Sequence, residues 1–294
     1  MITSIMMGGL GNQMFQYAAV KAISTKLNTD FSIDISSYVI NKGKSWCRPF
    51  ELTDVFAIPT DNIVQSTNIA KQIQLFCLAR YRHSVGCQWY KKYCNIYDEE
   101  DYITPQWDLI TSKSTLYGYF QDVQYFENNI LNLSQDFQFA QKLDGVNLEI
   151  SRKIKQENSV SVHIRRGDYL IGGNKNLFVN LTQEWYRHAI DLIRQKTDDV
   201  SLFFFSDDIA WCRENFSDLN GSTFVDWNTG DKSYIDMQLM SFCKHNIIAN
   251  STFSIWGALL NSNANKMVIS PSSYYKNKDD GNLNKKIPSD WFTL

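Results

Sequence analysis

The chain has 294 residues, 44% of them hydrophobic, which is enough to bury a substantial core in one large domain or two modest ones. Its 29 basic and 31 acidic residues leave a net charge of −2, so no overall charge draws the chain to nucleic acid and any anion site must be local. The six cysteines lack C-x-x-C and zinc-type spacings, which favours free thiols in a reducing compartment.

The N-terminal segment predicts a strand over Ile2–Met7, a glycine-rich loop over Gly8–Gln13 and a helix over Met14–Leu27. The loop interrupts the apolar residues too early for a signal peptide, and no stretch approaches the ~18 apolar residues of a spanning helix, so we expect a cytoplasmic protein. The glycines allow a tight bend and a close approach to a ligand, and Asn12 adds an amide at the helix start. The dinucleotide-binding fingerprint is excluded, because Met14 stands where it requires Gly or Ala.

The middle of the first half, from Lys71 to Tyr102, interleaves basic and aromatic residues. Such a pattern is typical of a solvated helix whose aromatic rings turn to the core, but it also occurs at nucleic-acid surfaces and on helices that lie against membranes. Aromatic rings can also stack on the sugar rings of an acceptor. We therefore keep acceptor binding and a loose peripheral membrane contact as interpretations. The residues concerned are Lys71, Arg80, Arg82, Lys91 and Lys92 among Phe76, Tyr81, Trp89, Tyr90, Tyr93 and Tyr97.

From Ser159 onward strands and helices alternate, which predicts an α/β fold with a parallel sheet covered by helices on both faces. The first half begins the same way, with a second strand near Phe31–Ile35. A polar stretch over Gln141–Asn158 suggests a boundary, and we divide the chain into residues 1–150 and 151–294. The expected strands of the second part are Ser159–Ile164, Ser201–Phe205, Thr223–Val225, Asn246–Ala249 and Lys266–Ile269, and the expected helices are Gln183–Arg194, Ile209–Glu214, Ser233–Cys243 and Phe253–Asn261.

A cluster of charged residues directly follows the strand Ser159–Ile164. Ligands of open α/β sheets bind outside the carboxyl ends of the strands, and the guanidinium fork suits bidentate capture of phosphate. Arg165, Arg166 and Asp168 therefore indicate a phosphate site, although a solvated turn with internal ion pairs would have the same composition.

A second polar loop, Asn250-Ser251-Thr252, separates a buried strand from the helix that starts near Phe253. Ser and Thr at this position commonly cap the helix. The free N–H groups and the positive dipole end of a helix also bind anions, so both roles are compatible with the sequence.

Three segments together resemble the motif regions of the bacterial alpha-1,2-fucosyltransferase family: Gly8–Ala18, His163–Tyr169 and Asn250–Trp256. The resemblance runs from the first residues to about Ser270, and the order and spacing of the three motifs make it specific. One departure is Ile255, where the family commonly carries a second tryptophan; it bears on packing or acceptor contact.

The resemblance implies a GT-B-type fold, with two Rossmann-like domains whose parallel sheets face each other across a cleft. Residues 1–150 would then be the acceptor-side domain and residues 151–294 the GDP-fucose-binding domain. The implied reaction moves L-fucose from GDP-fucose, with inversion and without a metal or other cofactor, to the O2 of a terminal galactose in a glycan or polysaccharide precursor. A fucosyltransferase of another linkage and a non-catalytic GDP-sugar-binding protein are the alternatives.

The resemblance also implies roles for single residues. Arg165 would grip the β-phosphate of the leaving group, and Asn12 would position fucose or the acceptor hydroxyl, with Gly11 letting the backbone approach the donor. Asp168 is the candidate general base, although it could instead orient the arginines while the departing phosphate takes the proton. The diphosphate would be held from the opposite side by the backbone and hydroxyls of Ser251, Thr252 and Phe253.

For the nucleoside, the resemblance points to Asp236, whose carboxylate could accept hydrogen bonds from the N1–H and N2 amino group of guanine. An Asp that only favours the helix dipole is the alternative for this position. His163 would contact the nucleoside, although a hydrogen-bonded structural histidine has the same appearance in sequence. Asp207 and Asp208 are candidates for contacts to the ribose or the base. They could also cap the next helix. As adjacent acids they resemble the D-x-D motif by which other glycosyltransferases bind a metal.

Overall fold

The computed structural model describes residues 1–44, 47–102, 104–276 and 286–294. The contacts divide the chain into two compact units, Met1–Ala140 and Gln141–Leu294. Each unit is built on a parallel sheet, as the alternation of strands and helices predicts. Among the described residues, no helix combines the length and the apolar character that crossing a bilayer requires.

The first unit contains a five-stranded sheet with the order β3-β2-β1-β5-β4. Its strands are β1 (Ile2–Ile5), β2 (Phe31–Asp34), β3 (Ile63–Val64), β4 (Ile96–Asp98) and β5 (Thr115–Tyr117). The helices in the described part of this unit are α1 (Leu10–Lys26), α2 (Ser36–Ile40), α3 (Leu52–Val55), α4 (Ile69–Arg80), α5 (Val85–Tyr93) and α6 (Ile130–Asp136). The chain leaves β1 for β2 on one side and returns to its other side as β5, so the carboxyl end of β1 lies at a point where the strand order reverses.

The second unit contains a six-stranded sheet with the order β11-β10-β9-β6-β7-β8. Its strands are β6 (Asn158–Ile164), β7 (Val200–Ser206), β8 (Ser222–Val225), β9 (His245–Ile247), β10 (Val268–Ser270) and β11 (Phe292–Thr293). The helices in its described part are α7 (Gly145–Gln156), α8 (Asn174–Leu177), α9 (Gln183–Arg194), α10 (Ile209–Phe216), α11 (Tyr234–Phe242) and α12 (Thr252–Leu259).

The central strand of the second unit is β6, which pairs with β7 on one side and β9 on the other. The chain runs outward through β7 and β8, then returns to place β9, β10 and β11 on the opposite side. This is the strand order of a dinucleotide-binding Rossmann fold, and its switch point lies between β6 and β9. The segments that follow these two strands are therefore neighbours at the ligand-binding edge of the sheet.

The predicted element α9 illustrates why local signals suffice for some helices. It spans Gln183–Arg194 as expected, because the Thr182 side chain accepts a hydrogen bond from the Trp185 N–H and caps the first turn. Its buried residues recur at the spacing of one helix face: Tyr186, Ala189, Ile190 and Ile193.

The division between the units falls between Ala140 and Gln141, upstream of the predicted boundary between residues 150 and 151. A cut at 150 would divide α7. This helix packs against β6 and α11 of the second unit, and its side chain Asn147 bonds to Asn228. The polar composition that suggested a linker belongs to the solvent-facing side of α7.

Candidate active site

The glycine-rich segment after β1 is shorter than predicted, because α1 begins at Leu10 rather than at Met14. Gly9 is the N-cap residue, and its carbonyl oxygen accepts hydrogen bonds from the N–H groups of Asn12 and Gln13. Gly11 and Asn12 therefore lie in the first turn of the helix. Gly8 has a φ of +82°, and a Cβ at this position would come within 2.5 Å of the Asn12 amide nitrogen.

The fully buried Gln13 side chain holds this segment in place through hydrogen bonds to the backbone. Its Nε2 donates to the carbonyl oxygens of Gly8 (3.1 Å) and Pro49 (2.9 Å), and its Oε1 accepts from the N–H groups of Glu51 (2.9 Å) and Leu52 (3.1 Å). One amide thus satisfies four backbone groups that no strand or helix pairs.

Asn12, the predicted positioning residue, is only partly buried. Its Oδ1 accepts a hydrogen bond of 2.8 Å from Gln121 Nε2, and its carbonyl oxygen accepts one of 3.0 Å from Gln16 Nε2. Gln121 follows β5, the strand that pairs with β1 across the switch point. Gln121 was not predicted from the sequence, in which it is only a polar residue shortly after a strand.

In the second unit, Arg165 is held between two carboxylates. Its Nε and Nη2 donate to the two carboxylate oxygens of Asp168 at 2.9 and 2.8 Å, and Asp207 Oδ2 lies 3.3 Å from Nε. Burial by itself would lower the pKa of the Arg165 guanidinium, but the charges of Asp207 and Asp168 outweigh it and the net shift is upward. The cation is therefore permanent and oriented.

Arg166 points to a different set of partners. Its N–H donates to Asp207 Oδ1 (2.9 Å), its Nε lies 3.3 Å from Asp208 Oδ2, and its guanidinium stacks 4.1 Å from the Trp211 ring. At the neighbouring Gly167, an added Cβ would come within 2.8 Å of Asp207 Oδ2. Close approach of this loop to the end of β7 therefore depends on a residue without a side chain.

The two aspartates after β7 have separate structural roles. Asp208 is the N-cap residue of α10 and accepts from the Trp211 N–H at 3.2 Å. Asp207 instead bonds to the arginine loop. In the part of the chain that the structure describes, no group of three or more His, Cys, Asp or Glu side chains is placed to hold a metal ion.

The start of α12 lies at the carboxyl end of β9, beside the arginine loop at the switch point. The helix begins at Thr252, one residue earlier than predicted, and its N-cap residue Ser251 makes no side-chain capping hydrogen bond. Ser251, Thr252 and Phe253 are all partly exposed. The first-turn N–H groups are consequently not covered by the side chain that the sequence offers as a cap.

Two hydrogen bonds of Asn250 connect the loop after β9 to the segment that follows β6. The Tyr169 hydroxyl donates to the carbonyl oxygen of Asn250 at 2.7 Å, and Asn250 Nδ2 donates to the Val179 carbonyl oxygen at 2.9 Å. Tyr169 also stacks on Phe178 with ring centroids 4.2 Å apart. These contacts fix the arginine loop against the start of α12.

His163 is buried at the end of β6, and its Nδ1 has no hydrogen-bond partner in the described residues. Burial, with a smaller contribution from Arg165, lowers the pKa of His163 to about 3, so the ring is neutral near physiological pH. The centroids of the His163 and Phe253 rings lie 5.8 Å apart. The structure thus brings a predicted nucleoside contact next to a predicted diphosphate contact.

Asp236 lies in the first turn of α11 within a chain of amides. Asn228 Nδ2 donates to its Oδ1 at 2.8 Å, Asn147 Nδ2 donates to Asn228 Oδ1 at 2.9 Å, and Trp227 Nε1 donates to Asn147 Oδ1 at 2.8 Å. Burial raises the pKa of Asp236 to about 7, although the Asn228 hydrogen bond acts in the opposite direction. A carboxyl group with no cationic partner among the described residues is suited to accept hydrogen bonds from a neutral donor edge.

Two parallel α/β units with polar segments at their switch points form the architecture of a GT-B-type glycosyltransferase. The chain belongs to Glycosyl transferase family 11, whose profile matches residues 1–292, and the predicted family is confirmed. A crystal structure of fucosyltransferase NodZ from Bradyrhizobium has a TM-score of 0.53 at 13% sequence identity and covers 88% of this chain and 92% of its own, a likeness that shows the fold.

Curated relatives match over the full length or over part of the chain. The Escherichia coli O-antigen biosynthesis glycosyltransferase WbnK is 32% identical over 306 residues, which cover 99% of each chain. An Escherichia coli alpha-1,2-colitosyltransferase is 29% identical and covers 98% of this chain and 96% of its own. The Bos taurus galactoside alpha-(1,2)-fucosyltransferase 2 is 33% identical over 103 residues, 34% of this chain and 30% of its own.

Proposed function

We propose that the protein is a GDP-sugar alpha-1,2-glycosyltransferase that moves L-fucose from GDP-β-L-fucose, with inversion, to the O2 of a terminal galactose. The observation that carries this proposal is the meeting, at one switch point, of the oriented Arg165 guanidinium with the uncapped start of α12. The family and the alpha-1,2-glycosyltransferases among its full-length and partial relatives support the linkage.

Departure of GDP places negative charge on the β-phosphate while positive charge develops on the sugar ring. Fixed donors that face the leaving group lower this barrier, because they need no reorganisation during the reaction. Within the described residues, Arg165 Nη1 makes no hydrogen bond, so it is the guanidinium nitrogen available for a phosphate oxygen. The first-turn N–H groups of Thr252 and Phe253, with the Ser251 hydroxyl, would bind the diphosphate beside it.

Asp168 is better suited to position Arg165 than to act as the general base. Both of its oxygens already accept hydrogen bonds from the guanidinium, so both are engaged in holding the arginine. In the proposed step the sugar C1–O(phosphate) bond breaks as the galactose O2–C1 bond forms. Because inversion places the galactose hydroxyl opposite the leaving group, its proton passes through solvent to an oxygen of the departing diphosphate. Asn12 would orient the sugar or the acceptor hydroxyl, and Gly11 would allow the backbone close to the donor.

The guanine base would be recognised by Asp236, whose two oxygens match the N1–H and N2 amino donors, while His163 contacts the nucleoside as a neutral ring. Asp207 is a candidate for the ribose, in addition to its bond to the Arg166 N–H, and Asp208 has its place at the helix cap. We propose that no metal takes part, since the arginine and the helix start supply the positive charge. The six free cysteines agree with a cytoplasmic location.

Colitosyl transfer is the second candidate, because the colitosyltransferase matches nearly the whole chain. Colitose is L-fucose without its 3-hydroxyl, so the two donors differ in one hydrogen-bonding group. The test supplies GDP-fucose and GDP-colitose in parallel with a β-galactoside acceptor and determines the product linkage by NMR. We expect α-L-fucose on the galactose O2. Transfer of colitose alone would replace the donor assignment, fucose on O3, O4 or O6 would refute the linkage, and GDP-fucose binding without transfer would favour a non-catalytic protein.

A further inference from the structure

The helices α4 and α5 expose an unusual amount of apolar surface. Most large hydrophobic side chains of the protein are buried, yet Trp89 is 73% exposed and Tyr93 is 91% exposed. Exposed aromatic and aliphatic side chains that cluster on one feature mark an interaction site rather than ordinary surface composition. The exposed members on this helix pair and its connecting turn are Ile69, Ile73, Phe76, Tyr81, Val85, Trp89 and Tyr93.

The exposed residues of α4 form one stripe. Ile69, Ile73, Phe76 and Arg80 follow one another at spacings of four, three and four residues, which places them on one helix face. The opposite face carries Leu78, which packs into the core of the first unit.

Helix α5 has the same arrangement. Val85, Trp89 and Lys92 share one face, whereas Cys87 and Tyr90 on the other face pack into the same core cluster as α4. Because both helices use one face to cover the sheet, both stripes face away from it. We call these two stripes, together with Tyr81 and Tyr93, the α4–α5 surface.

The basic residues of this helix pair differ in the direction in which their side chains point. Three cations are turned inward, where Lys71 pairs with Asp34 at 2.7 Å, Lys91 pairs with Asp101 at 2.6 Å, and Arg82 pairs with Asp98. Arg82 also pairs with Glu100 and Lys91 also pairs with Asp98, so each of the three inward cations is already engaged by a carboxylate.

The outward cations have no such partners. Residues 62–97 contain no Asp or Glu, and Arg80 and Lys92 are exposed without an ion pair in the described residues. The α4–α5 surface is therefore both apolar and positively charged.

We propose that the α4–α5 surface docks the enzyme on a membrane that contains anionic phospholipid. Helices that lie in the lipid headgroup region combine aromatic and aliphatic side chains on the buried side with basic residues beside them, as Trp89, Phe76, Arg80 and Lys92 do here. A second copy of the chain would bring like charges together. Nucleic acid would need more cations than these two and would not use exposed Ile73 or Val85.

The experiment measures flotation of the full-length protein with vesicles of phosphatidylcholine alone and of phosphatidylcholine with ~30 mol % phosphatidylglycerol. We expect binding to the anionic vesicles at low salt. Arg80→Gln/Lys92→Gln should lower the partition coefficient at least tenfold, because each lost cation removes a several-fold attraction to the anionic surface. Phe76→Ser/Trp89→Ser should lower it at least tenfold even at low salt, because apolar insertion is lost.

Two matched controls distinguish docking from general effects. Leu109→Ser/Val146→Ser removes two hydrophobic residues that are about half exposed elsewhere, and Lys142→Gln/Arg152→Gln removes exposed cations elsewhere. Both controls should bind vesicles as the wild type does, and all variants should transfer sugar normally to a short soluble acceptor.

The proposal is overturned if the wild type does not bind anionic vesicles, or if both α4–α5 variants bind as well as the controls. It is also overturned if analytical ultracentrifugation shows a dimer that Phe76→Ser/Trp89→Ser dissociates, since the surface would then be an interface between copies. These outcomes are independent of the donor and linkage, because vesicle binding is measured without substrate.

Discussion

After β1 in the first unit, the chain is held by the neutral amides of Gln13 and Gln16, whereas after β6 in the second unit it is held by ion pairs of Arg165 and Arg166. Both segments follow the central strand of a parallel sheet and lie at its switch point. Amides fix a backbone without adding net charge. Ion pairs leave an oriented cation in the loop, which is what the proposed binding of a leaving diphosphate requires. The same topological position is thus stabilised by neutral amides in one unit and by ion pairs in the other.

The first prediction concerns the segment after β6 that contains Arg165, where we expect the largest effect. Arg165→Ala should lower kcat by about 10²- to 10³-fold, because a fixed donor to the leaving group is lost. Arg165→Lys should recover only part of this loss, since the ammonium keeps the charge but not the planar fork. Steady-state kinetics with GDP-fucose measure both.

The matched control is Arg187→Ala, which removes an arginine of the same unit whose guanidinium pairs with exposed Asp218. It should leave kcat near the wild-type value. Activity of Arg165→Ala within tenfold of wild type, with unchanged thermal melting, would show that Arg165 does not hold the leaving group.

The second prediction concerns the segment after β1, which the neutral amide of Gln13 holds. Gln13→Leu keeps the volume of the side chain but leaves the Pro49 carbonyl and the N–H groups of Glu51 and Leu52 without this partner, while the Gly8 carbonyl keeps only the Tyr38 hydroxyl. Unsatisfied buried groups cost about 1–3 kcal/mol each, so the free energy of unfolding should fall by at least about 2 kcal/mol in urea titrations. Gln124→Leu, at an exposed position of the same unit, should change it little. Equal stability of the two variants would contradict the stabilising role of the Gln13 amide.

The third prediction separates binding from stability at Asp236. Asp236→Asn should weaken GDP binding about tenfold or more at pH 8, because a charged acceptor for guanine is lost, while ADP binding should change little. Calorimetry with both nucleotides measures this. An unaltered GDP affinity would remove Asp236 from the guanine pocket.

The same variant should be more stable than the wild type. Burial raises the pKa of Asp236 to about 7 from 3.8, so ionisation penalises the folded state. The penalty is absent below pH 3.8, grows as the pH rises towards 7, and is complete above 7. The difference in melting temperature between variant and wild type should follow this course. His163, with a pKa lowered to about 3, affects both proteins equally and cancels in the difference.

A smaller effect is expected at Asn228, which donates to Asp236. Asn228→Ala removes a hydrogen bond that favours the carboxylate, so the pKa of Asp236 should rise further. GDP affinity should then fall near pH 7 and recover at pH 8, where the carboxyl is largely ionised and the guanine N1–H is still present. A loss of affinity that is the same at both values would indicate a general structural defect instead of a positioning role.

The smallest expected effect is that of metal removal. Transfer should proceed at the wild-type rate in excess EDTA, because Arg165 and the start of α12 are proposed to supply the positive charge. Loss of activity that manganese or magnesium restores would contradict this proposal and would make Asp207 and Asp208 ligand candidates.

Sequence patterns predicted the elements whose signals are local. The limits of α9 match because its cap and its apolar face are contained in its own residues. The start of α1 differed from the prediction because Gln13, a residue that looked suited to a loop, is accommodated in the helix by partners at Pro49–Leu52. The predicted boundary differed for a related reason, since α7 joins the second unit through Asn147 and Asn228.

The sequence alone determined the family, the α/β class and the polar segments after the strands that carry Asn12, Arg165 and Ser251, because these depend on residue order and short-range periodicity. Only the tertiary structure decided that Gln121 meets Asn12, that Asp207 bonds to the arginine loop, and that the exposed stripes of α4 and α5 face away from the sheet. Such contacts are set by which strands become neighbours and which helix faces cover them. Sheet pairing joins residues that are far apart in the chain, and no local pattern records that choice.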